Sequence, residues 1–286
     1  GPVDGDLLAT LFILISAALH ATWNALLKSA ADRRAGLLSL GLVGSAVFLP
    51  ATALVPFPET RLWPLIAASV VAHVAYQLLL LRMFARGDYV VVYPIARGTG
   101  PVVVTAVSVV ALSEPLTVVD LGSIALIVVG ALVASGVARA RGRATAAALF
   151  AALATGFTIG AYTLVDALGM KASTDPWTFV VWSHAPLVPI LAALSLRRQR
   201  GLVVRSFLEH RRALIGMALC AYTGYALALF ALRWGVVAEI AALRETSIVF
   251  AAVIGFLCLG ERLPPHRRLG VLAIVVGAIA LRVSTW

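Results

Sequence analysis

Apolar residues run almost unbroken through ten stretches, approximately 7–28, 36–56, 62–84, 89–112, 117–138, 144–166, 177–196, 213–233, 236–259 and 268–286. Each is close to the roughly 20 residues an α-helix needs to cross a bilayer's hydrocarbon core. Each is bounded by charge or by Gly and Pro. Strands of a membrane barrel would alternate in polarity over about ten residues. These runs are too long and too uniformly apolar for that, and a helix satisfies its own backbone groups in lipid. The pattern predicts an all-α, polytopic membrane protein with ten transmembrane helices. The first stretch has neither a basic leader nor a small-residue cleavage site, so it is read as a retained helix.

Composition agrees. Of 286 residues, 61% are hydrophobic and 13% charged, and the mean hydropathy is +0.98. Soluble domains carry about a quarter charged residues, which excludes an ordinary cytosolic enzyme. Cys220 and Cys258 both lie in apolar runs and offer no disulfide framework. The excess of 23 Lys and Arg over 13 Asp and Glu reads as membrane topology, with nucleic acid the weaker reading. Loops after odd-numbered stretches hold seventeen basic residues: Lys28, Arg33, Arg34, Arg82, Arg86, Arg139, Arg141, Arg143, Arg197, Arg198, Arg200, Arg205, Arg211, Arg212, Arg262, Arg267 and Arg268. The opposite side holds four, Arg61, Lys171, Arg233 and Arg282. The positive-inside rule then sets the basic loops in the cytoplasm and both termini outside. The run 197–212 reads as a solvated loop that touches anionic lipid headgroups.

The chain also repeats itself. Segment Arg97–Ala134 matches Arg244–Leu281 at a constant offset of 147 residues: Arg97 meets Arg244, Glu114 meets Glu261, Leu116 meets Leu263, and Gly130-Ala131 meets Gly277-Ala278. Upstream, Ala75-Tyr76-Gln77-Leu78 resembles Gly224-Tyr225-Ala226-Leu227 after a shift of two residues. The repeats span 7–138 and 144–286, five helices each. An odd number per half inverts the second copy, and inverted repeats place a substrate site near the bilayer midplane.

These residues carry a resemblance. His20-Ala21-Thr22-Trp23-Asn24, the pair Leu-Ser-Glu-Pro-Leu ending at Leu116 and Leu-Gly-Glu-Arg-Leu ending at Leu263, and Leu243-Arg244-Glu245-Thr246-Ser247 resemble the drug/metabolite transporter superfamily. The likeness is to its bacterial branch with two tandem EamA domains, and it covers essentially the whole chain. It implies a carrier in the inner membrane that exports or exchanges small metabolites, amino acids or drugs without hydrolysing ATP. Helices 1, 3, 4, 6, 8 and 9 would line the cavity, with helices 5 and 10 as scaffold.

A guanidinium inside a span costs several kcal/mol unless paired or hydrated. Arg97 and Arg244 therefore lead the candidates for binding an anionic group, or else they close a gate. Glu245 is the candidate for proton coupling or amine recognition, whereas Glu239 reads as solvated at the outer interface. Glu114 and Glu261 read as fixing helix turns. Pro94 with Arg97-Gly98-Thr99-Gly100-Pro101 predicts a broken, cavity-lining fourth helix, against close packing through small residues. Pro186 and Pro189 suggest a kink in the seventh. His20, Trp23 and Asn24 share one helix face by their three-and-four spacing, as do His73, Tyr76 and Gln77. Tyr162 aligns with Asn24, and Tyr222 and Tyr225 pair with the third-helix set. Together these suit a small polar organic molecule. His184 and Trp182 read as packing.

No cofactor is expected. The five histidines have no metal-ligand spacing, and no phosphate-binding Gly-Lys-Ser/Thr loop is present. The sequence thus predicts secondary transport by alternating access, outward or by exchange, of a small-molecule substrate, with protons as a coupling ion. Amino-acid-like zwitterions rank first, organic anions and phosphonates second, bulky cations third. A membrane-embedded enzyme on lipid-linked substrates would need a nucleophile, acid/base or metal set that these residues lack. A channel would not need inverted halves. Partners reduce to substrate, membrane lipid and protons, without nucleic acid, and the internal pseudo-dimer makes a monomer or weak dimer reasonable.

Overall fold

Helix boundaries fall where the sequence supplies caps. In the computed structural model, Thr117 and Asp120 form a reciprocal capping box at the start of the fifth helix, which Gly136 closes at φ 72°. Thr145 caps the sixth, and Asp175 followed by Pro176 opens the seventh. The structure describes residues 2–29, 33–86, 89–137, 145–196, 200–260 and 262–284. Glu261 and the loop arginines Arg139, Arg141, Arg143, Arg197 and Arg198 lie outside the described residues.

The elements are α1 (Pro2–Ser29), α2 (Arg33–Ala51), α3 (Trp63–Arg86), α4 (Tyr89–Val110), α5 (Val118–Ser135), α6 (Ala146–Ala172), α7 (Pro176–Ser195), α8 (Arg200–Trp234), α9 (Val237–Leu243), α10 (Ser247–Leu259) and α11 (Pro265–Ser284). Among the described residues there is no strand. Among the described residues, seven stretches are long and apolar enough to cross a membrane, and Leu38–Ala51 is a shorter apolar one. The chain is an all-α polytopic membrane protein.

Four expectations change. The break falls in the ninth stretch, where a 3-10 turn over Arg244–Thr246 separates α9 from α10, and not in the fourth. Helix α4 runs through Pro94 and Pro101. Proline only deletes one hydrogen bond there, and small residues let the helix stay packed. The sixth helix extends past Asp166 to Ala172, so that carboxylate lies within it. The basic run expected as a loop is helical from Arg200 and joins α8 across a kink at His210. Its exposed Leu202 and Leu208 continue the apolar pattern into the basic segment.

Helices pack closely through small residues. Gly130 of α5 faces Gly270 of α11, where a Cβ would sit 2.9 Å from the Gly270 carbonyl, and Gly277 meets Ser123 and Ile127. Without a hydrophobic drive between helices in lipid, such backbone approach is what holds them. Gly156 and Gly160 of α6 do the same against Thr99, Gly100 and Val103 of α4. The larger pairings are α5 with α11, α1 with α8, α4 with α6, α2 with α7, α3 with α6, α2 with α8 and α1 with α10.

The core is continuous at one end and divided at the other. A large cluster takes Ala9 and Ile13 of α1, Phe48 of α2, Ile66 of α3, Phe179–Val181 of α7 and Val237–Leu243. Towards the C-terminal end of α1 it gives way to two separate clusters. One joins Met83, Val92, Ala96 and Ala148 of α3, α4 and α6. The other joins Ala35, Leu214 and Met217 of α2 and α8 with Trp23 of α1.

Candidate functional site

A polar centre lies against the large cluster, whose Ile13, Val104, Ala228 and Ile240 line it. Glu245, on the 3-10 turn, is 4% exposed and pairs through Oε1 with Arg97 of α4 at 3.0 Å. Arg97 also donates to Ser247 Oγ at 3.3 Å and meets His20 Nε2 at 3.4 Å. His20 is fixed from its other side: Trp23 Nε1 donates to His20 Nδ1 at 3.3 Å, with the two rings edge to face. Pro101 explains part of this. It has no N–H to offer the Arg97 carbonyl one turn back, so backbone polarity is left at the same level as the guanidinium.

Arg244 is placed differently. Its guanidinium carbon lies 5.4 Å from the centre of the Tyr225 ring, a cation–π contact. Among the described residues it has no ion pair, and its Nε is buried without a hydrogen-bond partner, as is Glu245 Oε2. Buried polar atoms are nearly always bonded, so two such atoms on adjacent residues mark a place built for something else. Arg97, Arg244 and Glu245 line one small cavity together with Tyr162, Gly100 and Pro101. The cavity has room for about one water molecule.

A second cluster adjoins it. Asp166 of α6, 1% exposed, accepts hydrogen bonds from Ser69 Oγ of α3 at 2.5 Å and from the Tyr225 hydroxyl of α8. His73 Nε2 lies 3.0 Å from that hydroxyl and 3.9 Å from Asp166 Oδ2. The His73 ring stacks on Tyr162 at 4.3 Å, and Tyr76 meets Tyr162 edge to face.

The expected residues thus converge in part. Arg97, Arg244, Glu245, His20, Trp23, His73, Tyr76, Tyr162 and Tyr225 form one connected polar and aromatic wall. Asn24 turns its amide back to the His20 carbonyl at 2.7 Å. Gln77 is buried on α3 and shares none of the hydrogen bonds described above. Tyr222 belongs elsewhere: its hydroxyl donates to the Leu40 carbonyl of α2 at 2.7 Å, and its ring packs on Phe48 and His184. His184 stacks on Phe48 and bonds the Val180 carbonyl, and Trp182 packs on Phe57 and Trp63. Asp166 was missed because a charge was taken to end the sixth stretch. The apolar residues Ala167–Met170 beyond it were the available signal.

The end of the bundle where α1 begins is tied shut. Glu239, expected in solvent, is 2% exposed and pairs with Arg282 at 3.0 Å, while Arg282 reaches Asp6 at 3.6 Å. The Glu114 carboxylate, expected to fix its own turn, instead accepts from the backbone N–H groups of Val237 and Ala238 at the start of α9 and lies 3.6 Å from Lys171. A carboxylate suits the positive end of a helix. Arg233 of α8 donates to the carbonyls of Met170 and Ser173. Among the described residues, no three His, Cys, Asp or Glu side chains gather as a metal site.

A solved structure described only as a protein crystal structure is similar over 98% of this chain and 99% of its own, with a TM-score of 0.73 and 18% identity. That likeness concerns the fold. No curated protein matches the sequence. Residues 146–283, spanning α6 to α11, match the family model of the EamA-like transporter family. That stretch is similar to an EamA-like transporter domain, within a chain that is an all-α multi-pass membrane protein.

Proposed function

We infer that the chain is a secondary carrier that moves a small carboxylate-bearing metabolite, amino-acid-like zwitterions first, by alternating access. The observation that carries this is the pair of buried, unpartnered atoms, Arg244 Nε and Glu245 Oε2, on adjacent residues that line one small cavity. A substrate carboxylate would complete Arg244, and a substrate ammonium would complete the free oxygen of Glu245. Within the set Arg97, Arg244, Glu245 and Asp166, Arg97 and Glu245 offset each other, and Asp166 lies 3.9 Å from His73. Organic anions, phosphonates included, are the second reading, because Arg244 is the one charge of this set without an ion pair among the described residues.

Two halves, 7–138 and 144–286, related by inversion supply the motion. In support, helix partners exchange between halves: α1 packs on α8 as α6 packs on α3, and α4 on α6 as α10 on α1, while α5–α11 and α2–α7 map onto themselves. One end is clasped by Arg282, Glu239, Glu114 and Lys171, and at the other the core parts. This is the asymmetry expected of one state of a rocking carrier. We take the parted, basic end as cytoplasmic in a bacterial inner membrane, both termini as external, and the monomer as the working unit. Export or exchange then begins from substrate loading at that end.

Counterflow in vesicles containing the purified protein tests the reading. Vesicles preloaded with unlabelled L-amino acids should accumulate the labelled form transiently, with saturation. Linear, unsaturable flux would indicate a channel and refute the carrier. No flux and no counterflow for any amino acid or organic anion would refute the substrate class.

A further inference from the structure

Hydrogen-bond geometry around Asp166 fixes where protons sit. His73 Nδ1 lies 2.9 Å from the Ser69 carbonyl, which only accepts, so Nδ1 carries a hydrogen. Ser69 Oγ spends its hydrogen on Asp166 Oδ1. Tyr225 has one hydroxyl hydrogen but two close partners, Asp166 Oδ2 and His73 Nε2. If Tyr225 donates to an ionised Asp166, the 3.0 Å contact to Nε2 holds only when Nε2 also carries a hydrogen, making His73 an imidazolium. If Tyr225 donates to a neutral His73 instead, the Asp166 contact holds only when the carboxyl carries its own hydrogen and donates to the tyrosine oxygen. Both arrangements contain the same number of protons. Both contain one more than a carboxylate, a phenol and a neutral imidazole.

We propose that Asp166, Tyr225 and His73 form a proton-carrying triad with one shared, exchangeable proton, and that this triad, and not Glu245, is the site through which pH acts on the carrier. The two arrangements interconvert by two hops: a hydrogen passes from His73 Nε2 to the Tyr225 oxygen as the Tyr225 hydrogen passes to Asp166 Oδ2. Nothing is gained or lost. Release of the shared proton to water leaves only one hydrogen for the two contacts of Tyr225, and one of them must open. Tyr225 belongs to α8, whereas Ser69 and His73 belong to α3 and Asp166 to α6. Proton loss therefore removes a bond that ties α8 to α3 and α6.

The groups facing the triad are Tyr162 from α6, stacked on His73, His184 from α7 at 5.4 Å from the Tyr225 ring, and Arg244 over the other part of that ring. Glu245 is held by Arg97 at 3.0 Å, and that guanidinium keeps its charge over the whole range in which proteins work. It therefore has a fixed partner where the triad has a movable one. The placement rests on the carrier reading for its consequence but not for its existence.

Infrared difference spectra of the purified chain in lipid, titrated between about pH 5 and about pH 8 with histidine-ring isotope labelling, decide it. In wild type, carboxyl and imidazolium bands are expected to change together in one protonation step. Asp166→Asn should abolish the imidazolium change, His73→Gln the carboxyl change, and Asp166→Glu should restore the step. Glu245→Gln should leave it in place. Two independent steps in wild type, no protonation change in that range, or loss of the step in Glu245→Gln would each overturn the triad. The wild-type spectrum decides even where a variant fails to fold. A coupled step in protein that shows no counterflow would overturn the carrier and leave the triad standing.

Discussion

The Arg97–Glu245 pair makes an asymmetric prediction. At 3.0 Å and an effective dielectric of about 20, the pair attraction is about 5 kcal/mol before desolvation is subtracted. Removing one member of a buried pair strands the other and destabilises by about 3–5 kcal/mol. The stranded charge differs between the two variants. Arg97→Gln leaves Glu245 next to Arg244, a second guanidinium that acts on the same carboxylate, so its loss should fall short of that range. Glu245→Gln leaves Arg97 with only Ser247 and His20, a hydroxyl and an imidazole, and deprives Arg244 of its neighbour as well. That change should cost the full amount, about 3–5 kcal/mol. Arg97→Gln with Glu245→Gln should be milder than Glu245→Gln alone, because the stranded arginine is gone. Unfolding of the purified protein in mild detergent, compared across the four proteins in a double-mutant cycle, reads these differences. Equal losses for the two single variants, or a double variant whose loss is their sum, would refute the reasoning.

Three further effects are expected. Gly270→Ala would bring a Cβ within 2.5 Å of the Gly130 carbonyl, so α5 and α11 must part; melting should fall by about 1–3 kcal/mol of stability, and an unchanged melt would contradict the close packing. Glu114→Ala removes the acceptor for two backbone N–H groups of α9 and should cost about 1 kcal/mol, read as faster hydrogen exchange confined to the start of α9; uniform exchange across the bundle would contradict it. Glu59, in the loop before α3, is held below its usual value by the Thr174 hydroxyl and by Arg61. Its stabilisation is therefore complete above the unfolded value of 4.5 and disappears as pH falls through the lower folded value. Glu59→Gln should make melting slightly less acid-sensitive as pH falls below 4.5, and an unaltered acid limb would contradict the contact.

The helices were legible because apolar length is a direct record of bilayer thickness. The equivalence of Arg97 and Arg244 located the centre, and the three-and-four spacing of His20, Trp23 and Asn24 put those side chains on one face. What the sequence hid follows from the same rules. A charge normally ends an apolar run, so Asp166 was taken as a boundary although Ser69 and Tyr225 satisfy it within the helix bundle. Glu239 looked solvated for the same reason, since Arg282 lies 43 residues away in sequence. Prolines drew the expected break to α4, yet the chain departs from α-helical geometry at Arg244–Thr246, where no Gly or Pro announces it. There the two charged side chains are turned towards partners in other helices, which one-dimensional pattern does not register.

Arg244 receiving a carboxylate is the step on which the proposed transport depends. Thermal stabilisation of wild type and Arg244→Gln by amino acids, aminophosphonates, organic anions and lipophilic cations tests it without assuming a direction of transport. A zwitterion or anion is expected to raise the melting temperature of wild type and to leave that of Arg244→Gln unmoved. Cations stabilising both proteins equally, with no response to any carboxylate, would contradict it and make Arg244 a packing residue held against Tyr225.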